Sequence, residues 1–124
     1  MSTLFVCVTC RADDADGASV EPRPGARLFS ALQRHGSGLE IVPVECLSNC
    51  RRSCSAAVTA PGKWTYVIGD LDPDRHVEDV LRFARAHAAH ADGLPVWRER
   101  PEHIRKNTIA RVPPMAGPSA KETA

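Results

Sequence analysis

Cysteine closes two strand-like segments of this chain, and that placement restricts the folds open to it more than any other feature. "TLFVCVTC" ends in Cys7 and Cys10, and "GLEIVPVEC" ends in Cys46; both segments are rich in β-branched residues. Between them, "ARLFSALQRHG" sets Leu28, Ala31, Leu32 and His35 at helical spacing, with Gly36 as a stop. Two strands joined through a helix are expected to be parallel, with a right-handed crossover. Parallel neighbours end at the same edge of a sheet, with backbones about 5 Å apart. Cys7, Cys10 and Cys46 are therefore expected at one corner. Cys50 and Cys54 follow on the next turn, "ECLSNCRRSC".

The remaining chain supplies three more elements. "SAAVTA" and "WTYVIG" read as strands joined by "PGK", where Pro61 followed by Gly62 suits a type II turn, so this pair should be antiparallel. Trp64, Tyr66 and Ile68 alternate with Thr65 and Val67, which predicts one buried face. Pro43 predicts a sheet edge or a bulge for its strand. "LDPDRHVEDVLRFARAHAAHADG" reads as the second helix, with Asp72 as N-cap, Pro73 in the first turn, Gly93 as stop, and an apolar stripe of Val77, Val80, Leu81, Ala84 and Ala88. "CRADDADGASVEPRPG" reads as a loop, and "LPVWRERPEHIRKNTIARVPP" as a segment with a short helix at most. The order, βαβ followed by ββα, is that of a thioredoxin-like α/β core: a mixed sheet with flanking helices in a single domain. The expected division is a metal-binding domain over residues 1–94, an extension packed on it over 95–114, and a disordered tail over 115–124.

A length of 124 residues suits one small domain able to bury a core without cross-links. Sixteen basic residues against fifteen acidic ones give no overall pull toward nucleic acid or an anionic membrane. No apolar run is long enough to span a bilayer. The start, "MSTLFVCVTCRADD", lacks the pattern of a signal peptide, so a cytoplasmic location is expected. Thiols stay reduced there, and five cysteines is an odd number for a closed disulfide framework.

Four thiolates in one pocket repel one another unless a cation or an iron–sulfur core takes up their charge. Zinc would take four sulfurs tetrahedrally at about 2.3 Å each. A 2Fe–2S cluster would take two sulfurs per iron. C-V-T-C with C-L-S-N-C suits either. Arg51 and Arg52 would sit nearby, where they could offset a cluster's charge or donate hydrogen bonds to it. Two other readings compete. Cys46, Cys50 and Cys54 at spacings of four could form one small apolar face of a helix, as buried structural cysteines do. Alternatively, Cys7 and Cys10 could be the pair of a dithiol–disulfide oxidoreductase. Such enzymes seat the pair at a helix N-terminus, whereas here a long polar loop separates Cys10 from the helix near Ala26.

"FVCVTC", "CLSNC" and "PGKWTYVIGDLDP", with "WRERP" and "IARVPP" near the end, resemble an uncharacterised bacterial family of predicted metal-binding proteins, over residues 3 to about 114. That family in turn is similar to the thioredoxin-like 2Fe–2S ferredoxins, in which a strand ends in cysteine and a "CLGxC" turn follows a second strand. The resemblance implies a 2Fe–2S centre with Cys7 as first ligand, Cys10 as second, and Cys46 and Cys50 as third and fourth. Cys7 and Cys10 are closer together than the first two cysteines of those ferredoxins. Cys54 stands where they usually carry proline, which makes it a fifth candidate, either a ligand or a neighbour. Those ferredoxins are also often acidic, unlike this chain. The resemblance implies electron transfer, metal sensing or metal delivery rather than catalysis. It further implies a redox or metal-accepting partner protein in cobalt or cobalamin metabolism, with a homodimer an allowed assembly.

Other polar groups read more simply. His87 and His90 in "HAAH" have a spacing that can bind metal, but a solvated helix face accounts for them. Arg98, Arg100, Arg105, Lys106 and Arg111 accompany Trp97 in a mix seen at phosphate and nucleic-acid sites. Glu99 and Glu102 interrupt that run. The favoured reading packs Trp97, Ile104 and Ile109 over the core with the charges in water. Trp64 and Tyr66 are expected under the second helix. No Ser–His–Asp set, phosphate loop or carboxylate pair stands out, and Gly36 and Gly38 do not form a nucleotide fingerprint.

Overall fold

The computed structural model describes residues 2–9, 23–45, 47, 52 and 54–114. The loop expected after Cys10 and the tail expected from residue 115 lie outside the described residues. Five strands form one mixed sheet: β1 (Thr3–Cys7), β2 (Glu40–Val44), β3 (Ala56–Thr59), β4 (Thr65–Ile68) and β5 (Thr108–Val112), in the order β2-β1-β3-β4-β5. β1 is parallel to β2, and every other neighbouring pair is antiparallel. The connection between β1 and β2 carries α1 (Pro24–His35); α2 (Val77–Ala89) and the short α3 (Glu102–Asn107) lie between β4 and β5.

Local chemistry explains these elements. Pro24 opens α1, where a missing N–H costs nothing, and Leu28 and Leu32 form its buried stripe. Arg34 and His35 occupy the last turn, where the helix dipole favours positive charge. The turn between β3 and β4 closes with the Lys63 N–H donating to the Ala60 carbonyl at 3.1 Å, and Gly62 takes the positive φ of 74° that the turn requires. β2 is an edge strand, as Pro43 predicts. Glu40 N–H reaches the Ser2 carbonyl at 3.1 Å and Val8 N–H reaches the Val44 carbonyl at 2.9 Å. Residues 40, 42 and 44 thus face β1, and the missing N–H of Pro43 falls on the outer edge.

One face of the sheet is covered. Leu4 and Val6, Ala56 and Val58, and Tyr66 and Ile68 are buried against Leu28 and Leu32 of α1, Val80, Leu81, Phe83 and Ala84 of α2, and Ile104 of α3. The Tyr66 and Phe83 rings meet edge to face, with centroids 4.8 Å apart. On the other face, Thr3, Phe5, Val42, Thr59 and Thr65 line an open groove.

Five local expectations need correction, the last of them His87. The segment after Gly93 forms β5 as well as α3, so residues 108–112 complete the sheet. Asp72 does not cap α2: its carboxylate accepts from Asp74 N–H at 2.8 Å and its carbonyl accepts from Arg75 and His76 N–H, which makes a separate turn before Val77. The helix also ends at Ala89, short of Gly93. Trp97 does not pack over the core; it is 65% exposed.

His87 is fully buried and is not part of a solvated face. Its Nε2 lies 2.7 Å from the Trp64 carbonyl and its Nδ1 lies 2.6 Å from Ser2 Oγ. A carbonyl only accepts, so Nε2 carries the proton and the Ser2 hydroxyl donates to Nδ1. Both ring nitrogens are satisfied, which is what lets the ring sit in the core. Burial holds its pKa below the ordinary 6.5; the bond to Trp64 opposes that shift, and the Lys63 charge adds to it. The unfolded chain therefore takes up this proton more readily than the folded one, and the neutral ring's contribution is complete above the ordinary value and is lost as pH falls below it. The urea midpoint should accordingly drop between about pH 7.5 and about pH 5.5, and His87→Gln, which keeps a donor for Trp64, should flatten that slope.

Candidate metal centre

β1 ends between two neighbours, and both cysteine-bearing stretches meet it there. Cys7 is in register with Val44 of β2. On the other side, the Cys7 N–H donates to the Ser55 carbonyl at 3.2 Å. The Cys7 side chain is only 5% exposed, and its Sγ lies 3.6 Å from the Glu45 carbonyl. The Thr9 hydroxyl donates to the same carbonyl. The residue immediately before Cys46 is thereby tied to the stretch between Cys7 and Cys10. Arg23, at the start of α1, donates from Nη1 to the Thr9 carbonyl at 3.1 Å and braces the corner from the helix side.

Cys54 is fully buried just before β3. Its backbone forms a two-way pair with Leu71, with Cys54 N–H to the Leu71 carbonyl at 3.2 Å and Leu71 N–H to the Cys54 carbonyl at 2.9 Å. Cys7 and Cys54 belong to the same buried cluster. Cys10, Cys46, Cys50 and Arg51 lie outside the described residues. Among the described residues, no three His, Cys, Asp or Glu side chains are grouped so as to hold a metal.

A clamp fixes the chain on the Arg52 side of the cysteine turn. The Asp70 N–H donates to the Arg52 carbonyl at 2.8 Å. The Arg52 guanidinium bonds the Asp70 carboxylate at 2.7 and 2.8 Å and Asn107 Oδ1 at 3.0 Å. Arg52 is thus held by protein groups, and Arg51, named with it in the sequence, lies outside the described residues. Gly69 lets the two segments approach: a Cβ there would stand 3.0 Å from the Arg52 carbonyl oxygen and 2.7 Å from Ile109 Cδ1. Asp70 adopts a left-handed φ of 54°, which its short polar side chain tolerates better than most.

The clamp continues into a histidine pair. Asn107 Nδ2 bonds the His103 carbonyl at 2.9 Å and lies 3.2 Å from His103 Nδ1. The His103 ring stacks on His76 at 3.6 Å between centroids. Asp72 N–H donates to His76 Nδ1 at 2.9 Å, which leaves the proton of neutral His76 on Nε2. Burial, and then the neighbouring His103, hold the His76 pKa below its ordinary value. Gly69, Asp70, Asn107 and His103 were not singled out in the sequence. The one available signal was "GD" directly after a strand, a pair suited to a tight backbone reversal.

The sheet order and the helices on one face define a thioredoxin-like domain, with the buried Cys7 where β1 ends and Cys54 in the same cluster. The chain belongs to a family of proteins of unknown function, DUF1636, whose model matches residues 4–114. No curated protein matches the sequence. Among solved structures, the chain is similar to a thioredoxin-like 2Fe–2S ferredoxin from Aquifex aeolicus, with 17% identity and a TM-score of 0.56 over 96% of each chain. It is also similar to a cysteine-to-serine variant of that type of ferredoxin from the same organism, with 19% identity, a TM-score of 0.56, and coverage of 89% of this chain and 99% of the other. At these identities the likeness establishes the fold. No helix among the described residues is long and apolar enough to cross a membrane.

Gly69→Ala should force the Arg52 segment outward and cost about 1–3 kcal/mol, read as a lower urea midpoint with an unchanged m-value.

Proposed function

We propose that this chain is a cysteine-ligated metal protein of ferredoxin type, holding a 2Fe–2S cluster through Cys7, Cys10, Cys46 and Cys50, with Cys54 a neighbour of the site. The observation that carries this reading is the Glu45 carbonyl, which takes hydrogen bonds from both Cys7 and Thr9 and so joins the two cysteine stretches at one corner. The donor chemistry fits: a buried thiol beside a second buried thiol's segment, in a chain with five cysteines, supplies soft sulfur ligands where unpaired thiolates would repel. A bound cluster would supply one-electron redox chemistry. The chain's own part is to converge its sulfurs, to keep water from Cys7 by burial, and to hold the turn in place through the Arg52–Asp70 clamp.

The burial of Cys7 weighs against a dithiol–disulfide enzyme, whose attacking thiolate must be accessible. Zinc would use the same sulfurs and is the outcome to separate by analysis.

Anaerobic purification followed by metal and sulfide assays tests the proposal. Iron and acid-labile sulfide in equal amounts, with visible absorption, are expected. Serine at Cys7, Cys10, Cys46 or Cys50 should abolish the colour, and Cys54→Ser should keep it. Stoichiometric zinc without iron would move the protein to the zinc reading. A colourless, metal-free protein that turns over a disulfide through Cys7 and Cys10 would sink the metal proposal altogether.

A further inference from the structure

Three of the arginines that follow α2, Arg100, Arg105 and Arg111, stand on aromatic rings. The Arg105 guanidinium carbon lies 5.1 Å from the centre of the Trp97 ring, and that of Arg100 lies 6.0 Å from it. Arg111 lies 5.2 Å from the Trp64 ring. Backbone carbonyls orient the first two: Arg105 Nη1 donates to the Arg100 carbonyl and Arg100 Nε to the Pro95 carbonyl, each at 2.9 Å. The neighbouring acids bond to other residues, Glu99 to His90 at 2.6 Å and Glu102 to Lys106 at 2.7 Å, while the Arg98 and Arg105 charges act on them from further off. Among the described residues, no carboxylate forms an ion pair with Arg98, Arg100, Arg105 or Arg111. Positive charge is thus concentrated around an exposed tryptophan in a protein whose net charge is only +1.

We infer that Trp97, Arg98, Arg100, Arg105 and Arg111 form a docking surface for an acidic protein partner, whose carboxylates pair with the stacked guanidiniums. A guanidinium fixed on a ring by a backbone bond keeps other N–H groups for a carboxylate and loses little freedom when it binds one. Exposed Trp flanked by Arg is also the composition that concentrates binding energy in protein interfaces. A nucleic-acid surface fits less well, because base stacking uses the ring face and Arg105 stands over one face of Trp97. Arg111 pairs with Tyr66, near the end of β4 remote from Ile68, whereas the Ile68 end leads on to Leu71 beside Cys54. The inference stands whether or not the cysteine corner holds metal.

Fluorescence titration with poly-L-glutamate in low salt tests this, alongside a single-stranded DNA oligonucleotide. The full-length protein should bind poly-L-glutamate. Arg105→Lys and Arg100→Lys, which keep the charge and lose the stacked fork, should each weaken binding about two- to fivefold. Trp97→Ala, a change at an exposed side chain, should do the same with an unaltered circular dichroism spectrum. The control Arg82→Lys, on an exposed position of α2, should bind as the parent does. Unchanged binding by both lysine variants, or no binding by the parent, overturns the inference. DNA binding lost on Trp97→Ala, without poly-L-glutamate binding, overturns it in favour of a nucleic-acid surface.

Discussion

The double pairing of β1 is the constraint from which the rest of this molecule follows. One strand pairs in parallel with β2 and antiparallel with β3, and its last residue, Cys7, bonds across to Ser55 while standing in register with Val44. A parallel partner leaves from the same end at which β1 finishes, and an antiparallel partner enters there. Segments far apart in sequence are therefore delivered to one corner by backbone hydrogen bonding alone. The side chains need only supply an apolar lining, which Leu4, Val6, Ala56 and Val58 do on the helix-covered face. A fault in β1 would therefore disturb the fold and the candidate site together.

Much of this was legible in the sequence. The β-branched strands, the Leu28–Leu32 stripe and the rule for parallel crossovers lead directly to the meeting of the two cysteine stretches, and Pro43 marks an edge. His87 carried a readable signal that the polar label hid: with Val80 and Ala84 it keeps the i, i+4, i+7 phase of the buried stripe. Its ring could follow that phase inward because Ser2 and Trp64 supplied partners from remote positions, which no periodicity reveals. β5 was hidden for a related reason. "TIARV" is short, half exposed and followed by Pro113, and its strand character comes from the free edge of β4.

The clamp was illegible because its parts are polar, common and scattered. Arg52 meets Asp70 and Asn107 only after β4 and α3 have been placed, and Gly69 matters for a clearance that exists only in three dimensions. In the sequence the arginines between Cys50 and Cys54 looked like an electrostatic complement to a cluster. Folding engages the Arg52 guanidinium with Asp70 and Asn107. Further along the chain, Arg100, Arg105 and Arg111 find their neighbours in rings.

Pro43 has one more effect. A sheet whose outermost strand offers a regular row of donors and acceptors invites uncontrolled lengthening by other copies, the first step toward fibrous aggregates. Because the proline nitrogen faces outward, that row is broken in the middle of a five-residue strand, and Ile41 alone still offers a donor on that side. The same residue that bends the rules for an inner strand thus acts as a guard on the exposed rim, keeping the margin next to the cysteine corner from recruiting neighbours indiscriminately.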